Sequence, residues 1–177
     1  MSRVDQVGVW ELLPSAGPHP DLAEGLMAGF GQFVGSWGMD VRFFDPDGAV
    51  RSKWSGLWSF AWVLDGRGVQ DVLVALDANR QLPEVGARRI GSTLRMFEPA
   101  TSTWRVLWVG ASSGVWLDLK GRVESDRLVI EGDDVVDGRV EWTFTDITSD
   151  SFAWTGRTSA SGLGWWTEQH MIGNRIR

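Results

Sequence analysis

Residues 34–71 read VGSWGMDVRFFDPDGAVRSKWSGLWSFAWVLDGRGVQD, and their patterning decides the fold. Trp37, Met39, Val41 and Phe43 alternate with Asp40 and Arg42, the period of two that marks a half-buried strand. Asp45-Pro46-Asp47-Gly48 and Asp65-Gly66-Arg67-Gly68 supply residues that tolerate positive φ in hairpin turns. Between these turns, Trp54, Trp58, Phe60 and Trp62 form an aromatic row. The spacing of the three tryptophans fits a helix as well as a strand. Gly56, Gly66, the β-branched neighbours and the flanking turns select the strand.

The same period continues downstream. Counting 36–44 and 49–64, candidate strands follow at 69–76, 89–98, 104–110, 115–124, 127–132, 139–147, 151–159 and 164–176. The longest connection is 77–88, and Asp137-Gly138 marks another hairpin. Upstream, Pro20-Asp21-Leu22-Ala23-Glu24 reads as a helix start with Asp21 as its cap. Leu22, Leu26, Met27, Phe30 and Phe33 fall on one helical face, while Gly29, Gly31 and Gly35 weaken the far end. We expect an all-β fold: a single antiparallel barrel of about ten strands, with this short helix at one mouth. Residues 1–20 are expected to form a flexible arm, and residues 21–177 the one domain.

Composition narrows the function. With 177 residues, 43% of them hydrophobic and 23% charged, the chain is that of an ordinary globular protein with room for a core or an enclosed cavity. A net charge of -6 with no basic run argues against nucleic acid or an anionic membrane as partner. The absence of Cys removes thiol catalysis, thiolate metal sites and disulfides. Neither a leader-like apolar stretch nor a membrane-length one is visible, so a cytoplasmic location is expected. The sequence leaves monomer and homodimer open. Its unusual feature is 12 Trp with no Tyr.

Hairpin closure assigns faces, because opposed residues share one. Closing on 45–48 sets Met39 opposite Trp54 and Trp37 opposite Gly56; closing on 65–68 sets Trp62 opposite Asp71. The third hairpin brings Asp71 near Arg95. One face then carries the aromatic row with Leu73 and Phe97, and the other carries Asp40, Arg42, Arg51, Lys53, Ser55 and Ser59. The apolar face is the interior. Near the C-terminus, Trp142 falls opposite Trp154 and Phe144 opposite Phe152. Carried to the last strand, this sets Gln169 opposite Trp154 and turns Trp165, Thr167, Met171 and Arg175 inward. A slip of one residue would turn Trp166, Glu168 and His170 inward instead, and the loop 160–164 leaves both registers open.

Gly35-Ser36-Trp37, at the start of a first strand just after a short helix, resembles the opening motif of lipocalin-like (calycin) barrels. In those barrels the indole caps one end and an Arg from the last strand lies across it, which would pair Trp37 with Arg175. Three longer stretches, VLDGRGVQD (63–71), GSTLRMFEPATSTWRVLW (91–108) and EWTFTDITSDSFAW (141–154), resemble a bacterial lipocalin-like family of unknown function. The resemblance covers about 33–177 and implies a barrel with an internal cavity, but no settled activity. It departs at Ser161-Gly162-Leu163-Gly164-Trp165-Trp166, where family members carry an Asp-Gly-Gly-x-x-Trp-like turn, and at residues 1–20.

The inward aromatics have two readings. Large aromatics ordinarily fill a core. Alternatively, Trp54, Trp58, Phe60, Trp62, Phe97, Trp108, Trp142, Phe144, Trp154 and Met171 line a cavity for a small, largely apolar, aromatic or polyketide-like molecule. Asp71 and Arg95 are either a structural ion pair or an anchor for a ligand carboxylate or carbonyl. In a cofactor-independent cyclase or isomerase, Asp71, Arg95 and Gln169 would be the acid–base or orienting groups. His170 lies in the last strand, where haem barrels of the nitrobindin type place their proximal ligand. The preferred register turns it outward, so neither cofactor nor metal is expected, and haem binding through His170 is the lesser alternative. Two His, no Cys and no Gly-x-Ser-x-Gly elbow leave nucleophilic triads without support. The Asp133, Asp134 and Asp137 cluster reads as a solvated hairpin.

Overall fold

Every stretch of period-two alternation becomes a strand. The structure is a computed structural model and describes residues 13–135, 137–160 and 164–177. After a two-residue strand β1 (Pro14–Ser15) and a short helix α1 (Ala23–Ala28), ten strands follow. They are β2 (Gly35–Phe44), β3 (Val50–Val63), β4 (Gly68–Ala75), β5 (Ile90–Glu98), β6 (Thr103–Gly110), β7 (Val115–Glu124), β8 (Arg127–Asp133), β9 (Arg139–Thr145), β10 (Ser151–Thr158) and β11 (Trp166–Arg175). Each pairs antiparallel with the next, and β11 pairs with β2 to close the ring. Closure leaves no barrel edge unpaired. Among the described residues, no helix is long and apolar enough to cross a membrane.

The registers differ from the simplest hairpin closures by two residues. Trp37 pairs with Trp58 and Val41 with Trp54, because the first turn spans 45–49 and Arg51 is an extra residue in a bulge beside Phe43. Trp62 pairs with Val69, and Trp154 with Phe144. A shift by an even number preserves which face each side chain takes, so the interior is the one expected.

β11 is the exception. Trp154 pairs with Met171 and Gly156 with Gln169, but Arg157 pairs with Thr167, leaving Glu168 as a bulged residue. Below the bulge, Gln169, Met171 and Arg175 keep the inward face. Above it the phase flips: Trp166 stands opposite the buried Thr158, while Trp165 is 46% exposed and Thr167 is exposed. The expectation that Trp165 and Thr167 face inward is corrected by this one residue.

The helical segment plugs the barrel end where β2 starts. It is a 3-10 turn (Pro20–Leu22), α1, and a second 3-10 turn (Phe30–Phe33). Leu26, Phe30 and Phe33, spaced four and three apart, are fully buried, whereas Met27 is 47% exposed and leaves the predicted face. Asp21 does not cap; its backbone N–H is instead accepted by His19 Nδ1. The glycines of this segment are sockets. A Cβ on Gly25 would collide with the Phe97 ring, one on Gly29 with the Trp104 indole, and one on Gly31 with Trp62. The helix is thus bare on its inner side, which lets barrel aromatics reach its backbone.

Residues 13–20 of the expected arm are docked. Pro14 and Ser15 pair with Val63 and Trp62, Gly66 N donates to Ser15 Oγ, and His19 N donates to Gly66 O. The remainder of the arm, residues 1–12, lies outside the described residues.

Candidate functional site

The plug divides the interior into two halves. In the closed half, aromatic rings pack on one another: Phe33 meets Phe60, Phe144 and Phe152 at centroid separations of 5.7, 4.8 and 5.0 Å. Trp37 and Arg175 lie on its wall, stacked at the β2–β11 seam. Trp58, 3% exposed, reaches from β3 to Phe144 and Phe152 on β9 and β10, so its ring crosses the barrel. Phe60, Trp62, Phe144, Trp154 and Met171 are also buried, and Phe97 is held against Gly25 and Trp104. These residues of the expected ligand wall are engaged in packing.

Asp71 and Arg95 meet in the closed half as well. Arg95 Nη1 donates to Asp71 Oδ2, and Asp71 Oδ1 accepts the Thr93 N–H at 3.1 Å. The guanidinium lies between Phe30 of the plug, at 4.8 Å, and Phe60, at 5.4 Å. Both residues are 1% exposed. The pair bonds diagonally, because Asp71 stands opposite Thr93 and Val69 opposite Arg95. A charge removed from water needs such a partner, and this arrangement is shut off from the mouth by the rings around it.

The open half is different. Trp54, Trp108 and Trp142 occupy inward positions of β3, β6 and β9, yet each is only partly buried, as are Phe43, Leu73 and Val115. These inward side chains keep partial contact with solvent toward the open mouth. Trp142 stands edge-on to Trp108 at 6.0 Å and lies 5.8 Å from Trp154, while Phe43 stacks with Trp54 at 6.3 Å. A ring on Trp108 is accommodated by Gly91 on the adjacent strand, where a Cβ would collide with it. Gln169, half-buried and inward between Phe43 and Gly156, makes no side-chain hydrogen bond among the described residues. Two grooves, of about 450 Å³ along the 44–48 hairpin beside Trp166 and about 510 Å³ beside Trp104 and Lys120, are lined by none of Trp54, Trp108 and Trp142.

The rim holds the charges. Arg51 and Glu168, the extra residues of the two bulges, approach to 3.9 Å, and Arg51 lies 5.6 Å over Phe43. Burial pushes the Glu168 carboxyl above its usual value, against the opposing pull of Arg51; the Asp134 charge adds to the rise. His170 takes the outer face, opposite Arg42 and Thr155. Burial lowers its pKa, and the Arg42 charge lowers it further. Among the described residues, no group of three or more His, Cys, Asp or Glu could hold a metal ion.

Sequence reading missed Phe30 as a neighbour of the ion pair and Trp166 as a mouth residue, and it placed Phe43 on the inner face without assigning it to the site. The alternation in β2 carried the signal for Phe43; the bulge that turns Trp166 inward has none.

No protein-family model matches the chain, and no curated protein sequence matches it. Solved structures share the fold. One is the crystal structure of Rv2717c from M. tuberculosis, at 14% identity and a TM-score of 0.65, over 90% of this chain and 99% of that one. Another is the S-type phycobiliprotein lyase CPES from Guillardia theta, at 13% identity and a TM-score of 0.63, with the same coverage. At these identities the likeness shows a lipocalin-like barrel and nothing finer.

Proposed function

We propose that the protein binds a small, planar, largely apolar molecule in the indole-lined cup at its open mouth. The observation that carries this reading is the partial exposure of Trp54, Trp108 and Trp142 at inward positions. The opposite half shows that this chain can bury its aromatics completely, so three indoles left in contact with water across one concave surface need another reason. Rigid rings facing a cup can stack on a flat ligand at small entropic cost. A phycobiliprotein lyase on the same architecture supports the idea that such barrels work on other molecules, by analogy of fold alone.

A cyclase or isomerase would need acid–base groups in the cup. Asp71 and Arg95 are bonded to each other in the closed half, and the uncommitted polar group of the cup, the Gln169 carboxamide, does not titrate near neutral pH. The binding reading is therefore preferred.

Fluorescence tests it directly, because with 12 Trp and no Tyr the emission reports on indoles alone. Titration with a naphthalene- or anthracene-sized compound should change the emission saturably. Trp108→Ala and Trp142→Ala should weaken that response, while Trp116→Ala, on the outer face and 63% exposed, should not. Emission that stays unchanged across a panel of such compounds would remove the proposal.

A further inference from the structure

On its outer surface, one wall of the barrel breaks the alternation that builds the fold. A sheet with water on one side carries polar residues at its outer positions, as β2 does with Asp40 and Arg42. Three strands of another wall depart from this. Val72-Leu73-Val74 in β4, Leu107-Trp108-Val109 in β6 and Val115-Trp116-Leu117 in β7 are apolar on both faces. Unbroken apolar runs of this kind belong to strands that are covered on both sides.

The registers join the outer residues of these runs into one patch. Val72 pairs with Ser92, Ser92 with Val109, and Val109 with Trp116. In the row on one side, Gln70 pairs with Leu94 and Leu94 with Leu107. In the row on the other, Leu57 pairs with Val74 and Val74 with Ile90. Val72 is 39%, Leu107 37% and Trp116 63% exposed. The first charge met along these rows is Asp118, opposite Leu107, and Arg105 answers it at 3.0 Å on the border of the patch. The outer wall elsewhere is charged: Asp40, Arg42, Glu131, Glu141 and Arg157 take outward positions there.

Charge and shape select the occupant. Two copies that each carry a net charge of -6 repel one another. A face without net charge lets them meet with no unanswered charge buried and with the charged wall turned away. A two-fold contact matches one patch against itself, so an apolar sheet face needs no complementary surface elsewhere on the molecule. Area sets the strength. Strands β3 to β7, about 4.8 Å apart, and six residues at about 3.4 Å each outline a face of roughly 400 Å². A standard interface takes about 800 Å² from each partner, so this contact belongs at the weak end. Trp116 is its natural anchor, since an exposed Trp concentrates apolar area in one rigid side chain.

We propose that the outer face of β3–β7, centred on Val72, Leu107, Val109 and Trp116, is the surface through which two copies of this chain associate as a weak two-fold dimer. The inference stands apart from the ligand reading, because these side chains point away from the barrel interior.

Sedimentation equilibrium of the full chain, over about 1–300 μM, tests it across the range in which a weak interface forms. The mass should climb from 19.6 kDa toward twice that value. Leu107→Glu and Val72→Glu, both at exposed positions, should each weaken association about tenfold or more, because each buries an unpaired carboxylate in the contact. Thr155→Glu adds the same charge to the outer face of β10 and should associate like the wild type. A wild-type chain that stays at 19.6 kDa throughout would overturn the proposal. So would a dimer that persists undiminished in Leu107→Glu and Val72→Glu, or one that Thr155→Glu weakens equally.

Discussion

The guanidinium of Arg175 lies 4.0 Å over the ring of Trp37 and at the same time donates to three backbone carbonyls. Nη1 reaches Val34 O at 2.9 Å, Nη2 reaches Gln32 O at 3.1 Å, and Nε reaches Ser149 O. Trp37 Nε1 in turn donates to Phe33 O at 2.7 Å. One side chain of the last strand therefore holds the exit of the plug, the start of the first barrel strand and the β9–β10 turn.

Arg175→Ala should cost roughly 2–4 kcal/mol, from the lost cation–π contact and three carbonyls left without this donor. The expected fall in melting temperature is on the order of 10 °C for a domain of this size. Ligand response at the mouth should persist, since the contact lies at the closed end. Arg175→Lys should recover only part of the loss, because a point charge cannot serve three carbonyls as a planar fork does. An unchanged melting temperature in Arg175→Ala would contradict this account.

Asp71 and Arg95 should behave as a unit. Removing one partner strands a buried charge and should cost roughly 3–5 kcal/mol. The double replacement Asp71→Leu with Arg95→Met should cost clearly less than the two single losses together. Strict additivity in chemical denaturation would show that the two residues are not coupled.

The helix glycines were legible in the sequence only as weak points. Gly29→Ala, at the non-helical cap that follows α1, should be destabilising by about 1–3 kcal/mol because the added methyl meets the Trp104 indole. Gly17→Ala, where nothing lies within 4 Å of the added atom, is the control and should be close to neutral in the same thermal melt.

Glu168 makes a prediction in pH. Its folded pKa is raised above the ordinary value of a glutamate, so its contribution to stability is present below that value and is lost as pH rises through the folded pKa. Glu168→Gln removes the ionisation. Its melting temperature relative to wild type should therefore improve on going from pH 4 to pH 7. A difference that does not change with pH, or changes the other way, would refute the assignment.

His170 has the opposite sign of shift for a base. Its folded pKa lies below 6.5, so the stability it contributes is present above that value and is lost as pH falls through the lowered folded pKa. A proton-detected titration of its ring should give a midpoint under 6.5, and Arg42→Gln should move that midpoint upward by removing the neighbouring charge. A midpoint at or above 6.5 in the wild-type protein would contradict the burial of this ring.

How much of this could be read beforehand depends on parity and depth. Parity was legible: each hairpin register missed by two residues, yet Trp54, Trp58, Asp71, Trp142 and Trp154 took the expected face, since only an odd shift reverses it. The odd shift at Gly156, where β11 gains Glu168, was not legible, because the irregular 160–164 loop fixes no register. Depth along the axis was not legible either. Trp58 and Trp108 alternate in the same way, but only the insertion of Phe30 and Phe33 determines that one is sealed and the other touches water. Gly25, Gly29 and Gly31 could not be assigned as sockets from local propensity, because their role exists only once Phe97, Trp104 and Trp62 arrive from strands far along the chain.

The seam between β2 and β11 also sets an order of assembly. Gly38 pairs with Asn174, and Arg175 reaches back 141 residues to Val34. On a ribosome, β2 can find β3 early, but its other edge stays bare until β11 has emerged. That edge carries Met39, Val41 and Phe43 on its inner face, so the nascent chain exposes a sticky template throughout synthesis. Folding governed by so remote a contact is slow. Loss of β11 would thus act less by removing contacts than by leaving the ring permanently unsealed, with strand addition from neighbouring chains as the outcome.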